Sequence, residues 1–279
     1  MIKLYGFPIS NYTNMVKIAL LEKDIAFEMI EQMPSQEESF KKTSPMGKLP
    51  RIETDEGSLT ESIAIFAYLD GLKPEPALLP ADAFQRARVI EIARYCELYI
   101  ELAGRRLYPE VFFGGPHDEA AFNEVKPVLE NAIDGLNLIA SFDPYMAGSE
   151  FTYADIVAAH SFPYCNMASQ KVYGFDVVGA IPGLAATLEK INARPTAAKV
   201  LAEQMAARQG DDPVVPAVVE LLVANDALVV ILAVGCVIAR LLARSDRCDG
   251  SLTRRRRAGR GPSPASVRGG TRGGGLHGN

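Results

Sequence analysis

The chain has 279 residues, of which 48% are apolar and 23% charged, a composition typical of a soluble globular protein with one or two domains. Residues 211–279 hold ten arginines and six acidic residues, a net charge of +4; since the whole chain has a net charge of −5, residues 1–210 have a net charge of −9. A body this acidic argues against nucleic-acid binding. The four cysteines have neither a C-x-x-C pair nor zinc-type spacing with the three histidines, which predicts free thiols in a reducing compartment, the cytoplasm, and no metal site.

The first 76 residues predict a small domain in which strands and helices alternate. Alternation of apolar and polar residues, with turn residues at the ends, predicts strands at 2–6, 26–32, 49–54 and 58–60. The last two strands flank the sequence D-E-G, which predicts a tight hairpin. Helical periodicity follows the first strand and the hairpin, and a short irregular helix is predicted around Phe40. The order β-α-β-α-β-β-α indicates an α/β layer with a mixed sheet.

Residues 73–82 contain three prolines and predict a linker to a second domain. From 83 to 209 the periodicity is helical almost throughout, which predicts an all-α domain. The first long helix is expected to bend near Gly104. A later helix opens with Thr152 and has Asp155 three residues on, the spacing of a capping box.

Two pairs near the third strand have both a structural and a functional interpretation. Leu49-Pro50 predicts a rigid turn, and sequence alone favours a trans bond; a cis bond would expose the backbone of Leu49 to a ligand. Glu61-Ser62 predicts a helix cap. The same pair suits an α-amino acid, because a helix N-terminus with a hydroxyl binds a carboxylate and a glutamate binds an ammonium group.

Ser10, Asn11 and Tyr12 lie between the first strand and the first helix. A helix N-cap is the structural interpretation of Ser10. The functional interpretation is a hydroxyl directed at an anion, where the helix dipole already favours negative charge. A thiol held at that position would lose its proton more readily, because the hydroxyl donates to the thiolate.

Taken together, these motifs resemble the soluble glutathione transferases. The resemblance rests on strand-Pro-x-Ser-helix, on G-K-L-P, on E-S-x-A-I-x-x-Y-L after the hairpin, and on F-T-Y-A-D-I-V-A-A and I-P-G-L-A-A-T-L-E-K-I-N-A-R-P. It covers residues 1–208, and it implies an α/β N-terminal thioredoxin-like domain (1–76) followed by an all-α C-terminal domain (83–209).

The resemblance also implies roles for individual residues. Ser10, six residues before Val16, would be the catalytic group that stabilises the glutathione thiolate, with Asn11 and then Tyr12 as alternates. Leu49, before a cis-Pro50, would pair its backbone with the cysteinyl part, Glu61 and Ser62 would hold the γ-glutamyl end, and Lys48 would contact the glycine end. The electrophile pocket would use side chains of the long fourth helix: Tyr99, Leu107, Tyr108 and Phe112.

The implied function is conjugation of the glutathione thiolate to small hydrophobic electrophiles by a metal-free homodimer, with glutathione as co-substrate. One alternative is a non-catalytic, partner-binding module of the same fold, and another is a glutathione-dependent isomerase or peroxidase. Positions 9–12 hold no cysteine, which weakens a disulfide-exchange role. The sequence S-N-Y-T also lacks the Ser-Ser-Cys pattern of maleylacetoacetate isomerases, so isomerase activity is the weaker interpretation.

Residues 210–279 form a tail that is atypical of this family. An apolar helix is predicted at about 214–243, and a basic, low-complexity and disordered end follows it. The uncharged run of 227–239 is shorter than the roughly 20 residues of a membrane span, so a membrane anchor is the less favoured interpretation. Two other interpretations of the tail are a helix that packs on the domain and an extension whose sequence has not been under selection. Nucleic-acid binding by the basic end would be weak and without sequence preference.

Overall fold

The computed structural model describes residues 1–209. Its sheet has four strands: β1 (Ile2–Gly6), β2 (Phe27–Glu31), β3 (Arg51–Thr54) and β4 (Gly57–Thr60). Their order is β2-β1-β3-β4; β1 and β2 run parallel, and the other pairs are antiparallel. Thr54 pairs with Gly57, so the hairpin turn has two residues. The predicted mixed sheet and tight hairpin are confirmed.

Three helices belong to this layer: α1 (Asn11–Glu22), α2 (Glu38–Lys41) and α3 (Ser62–Leu72). The alternation in the strands places Leu4 and Ile52 side by side and fully buried. They belong to one apolar cluster with Val16 of α1 and Phe66 of α3. Burial of that face fixes the sheet against the two helices. The ends of β1 and β3 and the beginnings of α1 and α3 then carry the candidate site.

The remaining described chain is helical. Its helices are α4 (Ala83–Tyr95), α5 (Leu102–Arg105), α6 (Tyr108–Phe113), α7 (Glu119–Ile139), α8 (Tyr153–Tyr173), α9 (Leu184–Asn192) and α10 (Pro195–Gln209). A π-helical segment, Cys96–Glu101, joins α4 to α5, so the long helix expected here is not one continuous α-helix. Gly104 permits a close approach to α8, since a Cβ atom there would lie 2.6 Å from Cys165 Sγ.

The beginning of α8 is fastened by the buried carboxylate of Asp155. Its oxygens accept from the backbone N–H groups of Thr152 at 2.7 Å and Met146 at 2.8 Å, and from the Thr152 hydroxyl at 3.0 Å. Burial raises the pKa of Asp155 to about 6 against the effect of these hydrogen bonds, so the group stays ionised at neutral pH. The predicted pairing of Thr152 with Asp155 is confirmed.

The fully buried side chain of Lys23 binds the proline-rich segment that follows α3. Its ammonium donates to the carbonyl oxygens of Lys73 and Pro76, both at 2.8 Å, and lies 3.0 Å from a carboxylate oxygen of Asp70. The other oxygen of Asp70 lies 3.3 Å from the guanidinium of Arg86 in α4. These contacts join α1, α3, the connecting segment and α4.

Within residues 1–209, no helix is both long and apolar enough to cross a membrane. The apolar helix predicted at about 214–243 and the basic end of the tail lie outside the described residues.

Candidate active site

Ser10 is the N-cap of α1. Its Oγ accepts a hydrogen bond from the Thr13 N–H at 3.2 Å, and its side chain is partly exposed. Because Oγ serves here as an acceptor, the hydroxyl proton stays available to a ligand. The N-cap interpretation is therefore confirmed, and it is compatible with donation to an anion at the positive end of the helix.

Each backbone carbonyl oxygen of the turn that carries Ser10, residues 7–10, accepts a hydrogen bond. The bonds are Ser10 N to Phe7 O at 3.0 Å, Asn14 Nδ2 to Pro8 O at 2.9 Å, Gln204 Nε2 to Ile9 O at 3.1 Å, and Asn14 N to Ser10 O at 3.0 Å. Three of these four donors are local, and the fourth comes from α10. A turn with every carbonyl bonded holds the Ser10 side chain in a defined direction.

Asn11 uses both ends of its amide to contact the helical domain. Its Nδ2 donates to the carbonyl oxygen of His160 in α8 at 3.1 Å, and its Oδ1 accepts from Gln204 Nε2 at 3.1 Å. The carbonyl partner fixes which end is nitrogen, because a carbonyl oxygen only accepts. The contacts of Asn11 therefore connect the start of α1 with α8 and α10.

Tyr12, in the first turn of α1, lies near Arg105 of α5. Burial, with help from the nearby Glu101 carboxylate, raises the pKa of the phenol above its ordinary range, although Arg105 opposes the shift. The Arg105 guanidinium lies 5.5 Å from the ring centroid. The phenol therefore keeps its proton at neutral pH, and its ring contacts Arg105 of the helical domain.

The peptide bond between Leu49 and Pro50 is cis, as the resemblance implies. Leu49 lies just before β3 and is partly exposed, and neither its N–H nor its C=O has a hydrogen-bond partner within residues 1–209. An extended peptide could pair with both groups, as an added strand does. Lys48 beside it has an exposed side chain.

Ser62 begins α3 and has a buried hydroxyl that lacks a partner in the described part of the chain. A buried polar group without a partner costs about 1–3 kcal/mol, which a ligand oxygen at this helix N-terminus would remove. Glu61, with an exposed side chain, precedes it at φ 68°, a conformation that non-glycine residues rarely adopt and that is concentrated at functional sites. The N-terminus of α3 thus offers a hydroxyl for an anion beside a carboxylate for a cation.

Sequence analysis missed Glu97 of the π-helical segment. Burial raises its pKa, and the Glu61 carboxylate adds to the shift, while Arg94 opposes it. The Glu97 carboxylate is already paired with the Arg94 guanidinium at 2.5 Å, so what it adds at Glu61 is negative charge rather than a free ligand. The helical periodicity around Glu97 gave no sign of this role.

The four residues predicted for the electrophile pocket do not share one surface. Leu107 and Tyr108 are buried, and the Tyr108 hydroxyl donates to Glu101 at 3.0 Å. Phe112 is half-buried and packs edge-on against Tyr108, with ring centroids 5.2 Å apart. Tyr99 is 43% exposed and packs against Tyr95 instead. The pocket itself stays a prediction. Within residues 1–209, no group of His, Cys, Asp or Glu could hold a metal ion.

The described chain has the glutathione transferase fold, in which a thioredoxin-like sheet domain with a cis-proline before its third strand is joined to a helical domain. Residues 4–77 match the family model of the glutathione S-transferase N-terminal domain. A glutathione S-transferase from Pseudomonas putida F1 is 37% identical over 206 residues, 74% of this chain and 94% of that protein. The chain belongs to the glutathione S-transferase family.

The chain is also similar to an isomerase in sequence and to a solved glutathione S-transferase in structure. A maleylpyruvate isomerase from Ralstonia is 35% identical over 153 residues, which cover 52% of this chain and 67% of that protein. The crystal structure of a glutathione S-transferase from Rhodospirillum rubrum F11 has a TM-score of 0.59 at 24% identity, covering 76% of this chain and 95% of that one. It shares the predicted fold, a thioredoxin-like domain followed by a helical domain, which is confirmed.

Proposed function

We propose that this protein is a glutathione transferase that adds the glutathione thiolate to small hydrophobic electrophiles. The observation that carries the proposal is the Ser10 hydroxyl, which accepts from the Thr13 N–H and so has its own proton left to donate. A thiol at the N-terminus of α1 would meet both that proton and the helix dipole. Both stabilise the thiolate, which is the nucleophile.

The other ends of glutathione would be held by separate elements. The free N–H and C=O of Leu49 would pair with the cysteinyl backbone, as in strand addition. The Ser62 hydroxyl would donate to the γ-glutamyl carboxylate, and Glu61 would hold the ammonium group. Lys48 would meet the glycine carboxylate. The electrophile would enter beside Tyr99 and Phe112, while Leu107 and Tyr108 would have to move to contact it.

Retention on immobilised glutathione and turnover of chlorodinitrobenzene test the proposal directly. We expect both from the purified, folded chain. Absence of both would contradict the proposal, and no binding at millimolar glutathione would favour the partner-binding module.

A glutathione-dependent isomerase is the second candidate, supported by the similarity to the Ralstonia maleylpyruvate isomerase. The two activities share the thiolate and differ in whether the thiol leaves again. Maleylpyruvate should therefore be assayed beside chlorodinitrobenzene. Isomerisation with a kcat/KM above that for conjugation would make the isomerase the better assignment.

We further propose that the protein acts as a cytoplasmic homodimer, as the resemblance to its family implies. Sedimentation velocity of the full chain at micromolar concentration should give a mass near twice the 30.2 kDa of one chain. A single species of monomer mass would contradict this expectation.

Replacement of Ser62 by alanine should weaken glutathione binding by on the order of 10-fold or more, because a hydrogen bond to a charged group contributes roughly 1.5–3 kcal/mol. The kcat at saturating glutathione should change little, since Ser10 lies on another element. Isothermal titration with glutathione measures the effect. Ser58→Ala, at an exposed position of the hairpin, is the matched control and should bind normally. Unchanged affinity in Ser62→Ala would remove Ser62 from the site.

A further inference from the structure

Gln204, on α10 near the end of the described chain, contacts the turn that carries Ser10. The residue is 3% exposed. Its Nε2 donates both protons, one to Ile9 O and one to Asn11 Oδ1, each at 3.1 Å. The acceptor on Ile9 fixes the orientation of the amide, because only the nitrogen end donates. The side chain therefore spans the residue before Ser10 and the residue after it.

The bond to Ile9 differs from the others in the turn. The carbonyls of Phe7, Pro8 and Ser10 are bonded by donors of the turn itself or of the first turn of α1. The Ile9 carbonyl belongs to the peptide that leads into Ser10, and its donor lies 195 residues away in the chain. The N–H of the same peptide, on Ser10, donates to Phe7 O, so Gln204 supplies the second of its two hydrogen bonds. Without the second bond this peptide can tilt about the first, and a tilt would redirect the Ser10 side chain.

The second bond extends the contact to α8. Gln204 donates to Asn11, and Asn11 donates to the carbonyl oxygen of His160. The His160 ring itself stays neutral near neutral pH, because burial lowers its pKa to about 4. Two helices of the C-terminal domain thus hold the residues on either side of Ser10.

We infer that Gln204 is a positioning residue that aims the Ser10 hydroxyl at the glutathione sulfur. The inference rests on the proposed function, because it assigns to Gln204 a part in stabilising the thiolate. The wider consequence is that α10 of the helical domain takes part in the chemistry of the thioredoxin-like domain.

Gln204→Met tests the inference, since methionine has a similar length and shape but cannot donate a hydrogen bond. A glutamate would be a poorer choice, because its charge would itself raise the pKa of a nearby thiol. The pKa of glutathione bound to the full chain is read from the ultraviolet absorbance of its thiolate as pH is raised. We expect an increase of about half a unit or more, which lowers the thiolate fraction about threefold below both pKa values.

Glu203→Gln is the matched control. Glu203 precedes Gln204 on α10 and forms an ion pair with Lys17 of α1, so it also joins α10 to α1. Within residues 1–209 it forms no hydrogen bond or ion pair with the turn that carries Ser10. If Gln204 only holds α10 against the thioredoxin-like domain, both variants should lower the melting temperature of the protein and leave the pKa of the bound thiol unchanged. If Gln204 positions Ser10, only Gln204→Met should shift that pKa and lower kcat/KM at neutral pH, with the dissociation constant of glutathione nearly unchanged.

Three outcomes are distinguishable. Absence of a bound thiolate in the wild-type chain would contradict the proposed function itself. A thiolate in the wild type with the same pKa in Gln204→Met would overturn this inference alone. If Gln204→Met does not fold, Gln204→Asn decides, because it keeps the amide but withdraws it by one methylene; an unchanged thiol pKa in that variant would likewise overturn the inference.

Discussion

Replacement of Ser10 by alanine should lower conjugation at neutral pH by on the order of 10- to 100-fold. In the proposed mechanism the hydroxyl, which accepts from the Thr13 N–H, donates to the thiolate, and one hydrogen bond to a charged group contributes roughly 1.5–3 kcal/mol, or about one to two pKa units. The pKa of the bound thiol should rise by that amount, and the pH–rate profile should move to higher pH. Glutathione affinity should change little, because in the proposed site Glu61, Ser62 and Leu49 hold the rest of the molecule.

The same substitution also removes the N-cap, which should cost about 1 kcal/mol of stability. Ser10→Asp separates the two roles. Aspartate can still accept from the Thr13 N–H, so the cap survives, but it has no proton to donate and places a negative charge beside the thiolate. This variant should be near normal in stability and poor in turnover. An unshifted pH–rate profile and a near-normal rate in Ser10→Ala would exclude Ser10 as the catalytic residue. Asn11 or Tyr12 would then be the candidate.

Of the substitutions described, Asp155→Ala, which removes a buried carboxylate, should produce the largest loss of stability. In Asp155→Ala, the buried N–H groups of Thr152 and Met146 lose their acceptors. At about 1–3 kcal/mol for each unsatisfied group, the free energy of unfolding should fall by roughly 2–6 kcal/mol. Urea denaturation at neutral pH, followed by circular dichroism, measures the change.

Asp118→Ala provides the comparison, because Asp118 caps α7 with a single bond to the Ala121 N–H at 3.0 Å and is exposed. That loss should be about 1 kcal/mol, the usual value for an N-cap. Equal losses in the two variants would mean that Asp155 is no more than a helix cap.

Much of this arrangement could be predicted from local sequence. The strands, the tight hairpin and the capping pair at Thr152 depend on residues close together in the chain, where periodicity and turn chemistry act directly. Ser10, Pro50 and Ser62 were predicted for a related reason, since each lies where a strand or a helix begins. The cis bond at Pro50 needed the family resemblance, because sequence alone favours trans.

The contacts that could not be predicted are long-range. Gln204 meets Ile9 across 195 residues, and nothing near position 204 distinguishes that glutamine from a solvent-exposed one. The π-helical segment was predicted as ordinary helix because its sequence pattern is helical and does not distinguish the two forms; in the fold it packs against α7 and α8. Glu97 lies on that segment, so its position toward Glu61 was missed for the same reason.

The buried ammonium of Lys23 has a consequence for how the two domains move. A proline-rich connection between domains is usually a hinge, but here two carbonyls of that connection and a carboxylate of α3 converge on one cation that has no access to water. Pulling residues 73–76 away from α1 would strip that cation of its partners, at a cost of several kcal/mol. The first part of the connection is therefore fixed to the thioredoxin-like domain, so a hinge in this connection would have to lie between Pro76 and the start of α4 at Ala83.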